Sequence, residues 1–170
     1  MERDVLVCPE RPADIDAIRA VNDAAFRQSS EGKLIDELRR GPTWIPELSR
    51  VAIQDVVIGH ILFTRITIAE STSALALAPM AVRPSHQRRG IGSLLVQTSL
   101  EVARKLGHGI VMVLGHPEYY PRFGFVRARH HAILPPHDWP DAAWMVMPLR
   151  DGALEGVKGV VRYPPAFDGV

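Results

Sequence analysis

The stretch from residue 74 to residue 106 constrains the fold more than any other part of the sequence. Residues 74–82 are nearly all apolar, which predicts a strand buried on both faces. A basic turn follows, and residues 90–106 then repeat apolar side chains at helical spacing, with Gly107 placed as a C-terminal cap. A buried strand that leads into an amphipathic helix predicts a chain of mixed α and β structure.

This helix opens on two glycines, Gly90 and Gly92, directly after the basic turn. The first amides of a helix have no intrahelical partner and carry partial positive charge. Because glycine lacks a Cβ, a bulky anion can approach the backbone closely there. Arg88 and Arg89, together with Ser93, can add charge and hydrogen bonds. A glycine before a helix is often only a tight turn, but the complete arrangement is typical of a pyrophosphate site.

Two well-known nucleotide motifs are excluded at this site. The dinucleotide fingerprint requires a third glycine, and Leu95 stands at its position. The phosphate loop of many ATPases requires Gly-Lys-Ser/Thr, which does not occur here. The expected anion is therefore not NAD or ATP bound in those modes.

The other elements follow from periodicity and from turn residues. Helices are expected over residues 13–26 and around residues 34–38, with a polar loop over residues 27–33. Strands are expected over residues 4–7, 50–54, 56–68, 110–114, 125–134 and 142–149, a short helix or turn over residues 117–123, and no firm structure after residue 150. Gly59 predicts a bulge or a close backbone approach. Pro79 predicts a bulge or a local parting of strands, because proline cannot donate to a sheet ladder. The order predicts a mixed α/β sandwich.

Composition limits the class of protein. The 170 residues suit a single domain, and 46% hydrophobic against 23% charged residues is typical of a soluble globular protein. The net charge of +1 indicates no global field for nucleic acid or membranes. Cys8 is the single cysteine, so no internal disulfide or thiolate metal site can form, which favours the cytoplasm. The polar first residues predict no signal peptide, and no uncharged stretch is long enough to span a membrane.

Two motifs resemble the GNAT superfamily of acyl-CoA-dependent N-acetyltransferases. The run Gln87-Arg88-Arg89-Gly90-Ile91-Gly92 matches its Gln/Arg-x-x-Gly-x-Gly/Ala signature. About 30 residues later, residues 119–125 match its second element, an aromatic residue and a tyrosine followed by Gly-Phe. Residues 57–60 and the tail over residues 159–167 resemble one branch of predicted bacterial acetyltransferases. In that branch position 116 is commonly acidic, whereas this chain has His116.

The resemblance implies a fold, a cosubstrate and a reaction. The fold is a mixed central sheet splayed between strands 4 and 5 and flanked by helices, formed by one domain over residues 1–170. The cosubstrate is acetyl-CoA, whose acetyl group passes directly to a primary amine in a ternary complex. The pantetheine arm would lie against Ala81 and Val82, and the diphosphate would be bound by Gln87, Arg88, Arg89, Gly90, Ile91, Gly92 and Ser93.

Tyr120 aligns with the general acid of the family, four residues before the glycine of the second motif. A phenol there can donate a proton or a hydrogen bond to the departing thiolate, whose parent thiol has a pKa of roughly 8.5. The alternative is a core tyrosine with a satisfied hydroxyl. We interpret its neighbour Tyr119 as a core residue.

The general base is left open among three candidates. His116 follows the strand over residues 110–114, His60 adjoins Gly59, and Glu31 lies in the expected loop that borders the acceptor site in this superfamily. Each of them has a structural alternative, as a solvated charge or a hydrogen-bonded histidine. Ordered water replaces a dedicated base in many enzymes of this type.

No cluster of residues has metal-ligand spacing, so no metal is expected. His130 and His131 are adjacent on an expected strand and would face opposite sides. A catalytically inactive CoA-binding sensor or partner-binding module is the main alternative function. A nucleic-acid binder using Arg83 and the two following arginines is disfavoured by the charge balance. The amine acceptor is open, and a homodimer is open as well, since dimers are common among similar proteins.

Overall fold

The computed structural model describes residues 3–170, and its central feature is one twisted sheet with helices on both faces. The strands are β1 Leu6–Pro9, β2 Ser49–Gln54, β3 Val56–Ile68, β4 Thr72–Val82, β5 Ile110–Leu114, β6 Val126–Arg127, β7 Ile133–Leu134, β8 Trp144–Pro148 and β9 Gly159–Arg162. The helices are α1 Ile15–Phe26, α2 Ser30–Arg39 and α3 Ile91–Lys105. The main strand order is β1-β2-β3-β4-β5-β8-β6, and β9 pairs with both β3 and β7. The predicted mixed α/β fold is confirmed.

Alternate residues of the central strands pack on opposite faces of the sheet. Ile61 and Phe63 of β3 pack on the face that α3 covers, whereas Leu62 packs against α1 and α2. The strict period of two explains why β3 and β4 are apolar along most of their length, since both faces are covered. Farther along the α1–α2 face, Ile68 and Trp144 belong to a cluster that the C-terminal segment covers.

The parting predicted at Pro79 is present. Ile61 pairs with Met80 and Phe63 with Leu77, so Ala78 and Pro79 bulge out opposite a single residue of β3. On its other edge β4 pairs in parallel with β5 at only two positions, Leu75–Val111 and Ala76–Met112. Both strands continue beyond those pairs, to Val82 and Leu114, without pairing with each other. The sheet is therefore splayed between its fourth and fifth strands.

The bulge predicted at Gly59 is also present. Ala52 faces Gly59 and Ile53 faces Val57, so Ile58 is the extra residue of β3. A Cβ on Gly59 would lie 3.0 Å from Leu95 Cδ1 of α3. The absence of a side chain therefore lets α3 pack close to the sheet.

Three of the local predictions are wrong. The expected loop over residues 27–33 ends early, because α2 begins at Ser30 and places Glu31 in its first turn, where the helix dipole favours a carboxylate. The expected strand over residues 125–134 is instead β6, a 3₁₀ helix over Ala128–His131, and β7. The polar run from Arg129 to His131 offers no alternating apolar face, so His130 and His131 lie on that helix rather than on a strand.

The third wrong prediction concerns the tail, which is structured after residue 150. Its strand β9 pairs with Ile68 of β3 and with Leu134 of β7, and a 3₁₀ helix follows over Pro165–Gly169. Gly159 begins the strand at φ +124°, and a Cβ there would lie 2.7 Å from Ala69 Cβ. This close approach to the β3–β4 turn requires glycine. In the described residues 3–170, no helix is long and apolar enough to cross a membrane.

Candidate active site

A cavity of about 930 Å³ opens where β4 and β5 part. One side is formed by the bulge of β4, with Ala78, Pro79 and Met80, and by the end of β5 at Leu114. The opposite side combines residues of α1 and α2 with the C-terminal segment. The cavity therefore lies over the gap in the sheet, and the α1–α2 pair and the tail complete its lining.

The structure brings three of the predicted residues to this cavity. Tyr120, His116 and Glu31 all line it. They come from the turn after β5 and from the first turn of α2, two segments that are far apart in sequence. Their meeting is a consequence of the tertiary fold.

Tyr120 is held tightly by its surroundings. It is 7% exposed, and its ring packs edge-on against Tyr119 at 5.1 Å and Phe125 at 5.6 Å between centroids. A Cβ on Gly115 would lie only 2.3 Å from Tyr120 Cε2, so the ring rests directly on the backbone of that glycine. Burial, with a smaller contribution from Tyr119, raises the pKa of the Tyr120 phenol above its usual value. The phenol therefore stays protonated at neutral pH.

His116 fixes the turn that carries both tyrosines. Its carbonyl accepts hydrogen bonds from the amides of Tyr119 at 3.0 Å and Tyr120 at 3.3 Å. The side chain is exposed at the edge of the cavity. It is thus placed to meet a molecule that enters there.

Glu31 presents an anchored carboxylate to the cavity. The residue is 8% exposed, and its oxygens accept hydrogen bonds from Gln28 Nε2 at 2.8 Å and 3.1 Å and from Ser30 Oγ at 3.0 Å. Both partners are neutral, so the negative charge is held in place without being cancelled.

His60 does not join this group. It is fully buried in β3, and its Nε2 lies 3.0 Å from Ser49 Oγ on β2. Burial lowers the pKa of its imidazole to about 3, so the ring is neutral. His60 does not line the cavity, so it is not in a position to act as the base there.

The predicted anion cradle lies beside the cavity, at the start of α3. Among the described residues no side chain caps this helix, and the first helical hydrogen bond runs from the Leu94 amide to the Gly90 carbonyl. Gly90 adopts φ +80°, and a Cβ there would meet no atom within 4 Å, so the space in front of it is open. Arg88 and Arg89 are exposed next to it.

Three other predicted cradle residues, and Ala81 of the predicted pantetheine path, have distinct surroundings. The Ile91 side chain is buried in the core, so only its backbone is available to a ligand. Gln87 is turned back onto β4, where its Nε2 donates to the Val82 carbonyl at 3.0 Å. Ser93 lies 3.2 Å from the Tyr119 hydroxyl, measured between oxygens. Ala81 is buried and pairs with His60 across the β3–β4 ladder.

Several residues of the site were missed by sequence reasoning. Gly115 supports the Tyr120 ring. The sequence signal that could have identified it is its position between a predicted strand and the turn that carries the tyrosines. The Tyr119 hydroxyl lies near Ser93 and Gly92 rather than inside the core. Three aromatic residues also line the cavity: Trp139, Tyr163 and Phe167. Trp139 lies just before β8 and the other two lie after it, in segments where no local pattern indicated a site.

A parallel strand pair that parts beside a glycine-led helix, with a tyrosine at the parting, is the arrangement of acyl-CoA N-acyltransferases. The comparisons agree: the model of the Acetyltransferase (GNAT) family matches residues 15–125. The chain belongs to this family and is an acyltransferase of the N-acetyltransferase type. Within the described residues, no group of three or more histidine, cysteine, aspartate or glutamate side chains could hold a metal ion.

Two relatives from Escherichia coli K12 cover most of the chain. The protein named as the uncharacterized N-acetyltransferase YhbS is 32% identical over 167 residues, which are 96% of this chain and 99% of YhbS. The one named as the uncharacterized N-acetyltransferase YjhQ is 39% identical over 145 residues, 81% of this chain and 80% of its own.

Solved structures extend the similarity to complexes. The crystal structure of Escherichia coli YhbS in complex with CoA has a TM-score of 0.90 and covers 96% of this chain and 91% of that one. A GNAT acetyltransferase from Brucella melitensis in complex with acetyl-CoA has a TM-score of 0.82 at 31% identity, covering 98% and 99% of the two chains.

Proposed function

We propose that this protein transfers the acetyl group of acetyl-CoA to a primary amine by direct attack within a ternary complex. The observation that carries the proposal is the parting of β4 and β5 into a cavity that Tyr120 lines. The complexes of the similar proteins with CoA and acetyl-CoA support the choice of donor. We further propose that residues 1–170 act as one catalytic domain, in keeping with a sheet that joins β1 to β9.

The start of α3 has the chemistry to hold the diphosphate of CoA. No side chain of residues 3–170 caps this helix, so the first amides, those of Ile91, Gly92 and Ser93, are available to an anion, and the space at Gly90 is open. The exposed Arg88 and Arg89 add positive charge beside these amides.

The edge of β4 that faces the gap has the chemistry to hold the pantetheine arm. Among the described residues this edge has no strand partner beyond Ala76, so its backbone can bind the amides of the arm, apart from the Val82 carbonyl that Gln87 occupies. Ala81 and Val82 lie at the end of that edge, next to the cradle. The side-chain amide of Gln87 donates to the Val82 carbonyl and so stabilises the end of β4.

In the reaction, a neutral amine attacks the thioester carbonyl, the C–S bond breaks, and CoA leaves as a thiol. The departing sulfur would gain a proton or a hydrogen bond from the Tyr120 phenol, which is protonated at neutral pH. The proton that the amine loses would pass to His116 or to water at the open edge of the cavity. Glu31 would orient the acceptor.

The test is Tyr120→Phe, which removes only the hydroxyl. We expect kcat with acetyl-CoA and a reactive amine to fall by about 100-fold, at the lower end of the range for a lost general acid. The dissociation constant of CoA, measured by calorimetry, is expected to stay within about twofold, since the ring is retained. Unchanged turnover would exclude Tyr120 as the acid.

Tyr119→Phe is the matched comparison, because it removes the neighbouring hydroxyl from the same turn. Its oxygen lies near Ser93 rather than in the cavity, so we expect weaker CoA binding with kcat largely retained. If Tyr119→Phe lowered kcat as much as Tyr120→Phe, the assignment of the general acid to Tyr120 would be contradicted.

We also propose a cytoplasmic protein. Cys8 is a free, half-buried cysteine, as expected in a reducing compartment. The homodimer and the absence of a nucleic-acid partner stay predictions.

A further inference from the structure

The half of the cavity away from the donor path has a composition that acyl transfer alone does not require. We call it the acceptor half, and it consists of Phe26, Glu31, Trp139, Tyr163, Phe167 and Asp168. These residues come from α1, α2 and the segment over residues 139–168, so three separate parts of the chain line the acceptor half. A cavity of about 930 Å³ has the size of a small-molecule site.

Aromatic rings form one continuous wall of the acceptor half. The ring centroids of Trp139 and Tyr163 are 5.7 Å apart, and those of Tyr163 and Phe167 are 4.8 Å apart. Both pairs are edge-to-face, an arrangement that gives a wall both ring edges and ring faces. Aromatic faces attract organic cations as well as apolar chains.

The charged groups of the cavity are mostly negative. Within the described residues, the carboxylates that line it belong to Glu31, Glu70 and Asp168, and Arg162 is the one arginine or lysine. Arg162 is paired with Glu70 at 2.6 Å, so these two charges offset each other at the exposed edge. Glu31 and Asp168 take part in no ion pair among the described residues, and two negative charges are left uncompensated.

We propose that the acceptor is a small aliphatic amine with a second cationic group, such as a diamine. This inference rests on the proposed function. One amine, in its neutral form, attacks the thioester. The other stays protonated and is held by Glu31 and Asp168, while the carbon chain between them packs on the aromatic wall. The attacking nitrogen must be neutral. An acceptor with only one amine would therefore have no positive charge left to bind these carboxylates.

The test compares three acceptors with the same five-carbon chain length. Cadaverine has an amine at each end, pentylamine has one amine, and 5-aminopentanoate has a carboxylate in place of the second amine. We expect kcat/KM for cadaverine to exceed that for pentylamine by about tenfold, a modest gain for a desolvated cation beside carboxylates and rings. The value for 5-aminopentanoate is expected to be the lowest, since its carboxylate would face Glu31 and Asp168.

Two variants assign the preference to the acceptor half. In Asp168→Asn we expect the ratio of kcat/KM for cadaverine over pentylamine to fall several-fold. Asp16→Asn is the matched control, because Asp16 is exposed on α1 and does not line the cavity, so the ratio should keep its wild-type value. If Asp168→Asn leaves the ratio unchanged, the carboxylate at position 168 does not select the acceptor.

Several results would overturn the proposal. The proposal would be contradicted by equal kcat/KM for cadaverine and pentylamine, or by a preference for 5-aminopentanoate. It would also be contradicted if the protein bound acetyl-CoA but acetylated none of the three acceptors. Calorimetry with acetyl-CoA in the absence of any amine separates this failure from that of the proposed function, because donor binding does not involve the acceptor half. Failure to bind acetyl-CoA would remove the proposed function itself and the acceptor assignment with it.

Discussion

The two sides of the cavity are built in different ways. The proposed donor side, which extends from the cavity to the start of α3, consists largely of backbone: the edge of β4 that has no strand partner among residues 3–170, the first amides of α3, and glycines at positions 90, 92 and 115. The acceptor half consists of side chains, with an aromatic wall and carboxylates from three parts of the chain. Backbone groups bind features that are common to all ligands of one class. Side chains, in contrast, can be replaced without disturbing the fold. The difference teaches that donor and acceptor recognition can be altered separately in this molecule.

Gly115→Ala is expected to have the largest effect, because Gly115 supports the Tyr120 ring at the boundary between the two sides of the cavity. A Cβ would overlap the Tyr120 ring at 2.3 Å, so the ring must move. We expect kcat to fall at least as far as in Tyr120→Phe, about 100-fold, with about 1–3 kcal/mol lost from the free energy of unfolding by overpacking. Steady-state kinetics and denaturant unfolding measure the two effects.

Gly41→Ala is the control for that variant. A Cβ at Gly41 would lie 3.5 Å from the Leu38 carbonyl oxygen, an ordinary contact. If Gly115→Ala behaved like Gly41→Ala in both measurements, the tight support of Tyr120 by this glycine would be disproved.

Gly92→Ala tests the donor side alone and has a smaller expected effect. The added Cβ would lie 3.1 Å from the Tyr119 hydroxyl and would narrow the space at the start of α3. We expect the dissociation constant of CoA to rise about tenfold, equivalent to about 1.4 kcal/mol. The ratio of kcat/KM between cadaverine and pentylamine should not change, because the acceptor half is untouched. A changed ratio would show that the two sides are coupled.

His60→Gln is expected to have the smallest effect on catalysis, because it concerns stability rather than either side of the cavity. The pKa of His60 is about 3 in the folded protein and about 6.5 when unfolded, so the unfolded chain binds one more proton between these pH values. Stability from this group is complete above pH 6.5 and is lost as the pH falls, by up to about 1.4 kcal/mol per pH unit.

Urea unfolding at pH 7, 6 and 5 measures this slope. We expect the wild type to lose stability more steeply than His60→Gln over this range. His130→Gln, which changes an exposed histidine, should follow the wild type. Parallel curves for the wild type and His60→Gln would contradict the assigned pKa.

Much of the donor side could be predicted from the sequence, because its signals are local. The apolar run of β4, the proline at position 79 and the glycines that open α3 are contiguous, and each acts on the backbone next to it. The parting of the sheet and the open N-terminus of α3 followed from these residues. The positions of Gln87 and Ile91 did not, since the direction of each side chain depends on what packs around it.

The acceptor half could not be predicted in the same way. The strands β6 and β7, which precede the segment that carries Trp139, have two residues each, too short for any period to appear. The Gly- and Pro-rich tail forms β9 only because β3 and β7 offer it partners. Glu31 was recognised as a candidate, but its place in the first turn of α2 was not, because the apolar residues of that helix begin later, at Leu34.

The two adjacent tyrosines point in different directions, and this has a consequence for the choice of donor. The Tyr119 hydroxyl contacts Ser93 at the start of α3, while Tyr120 lines the cavity one residue later in the same turn. In the proposed complex, this one turn would set the separation between the phosphate end and the sulfur end of the bound thioester. Thioesters with a shortened arm should reach only one of these two ends, so the enzyme would select its donor by length before any chemistry begins.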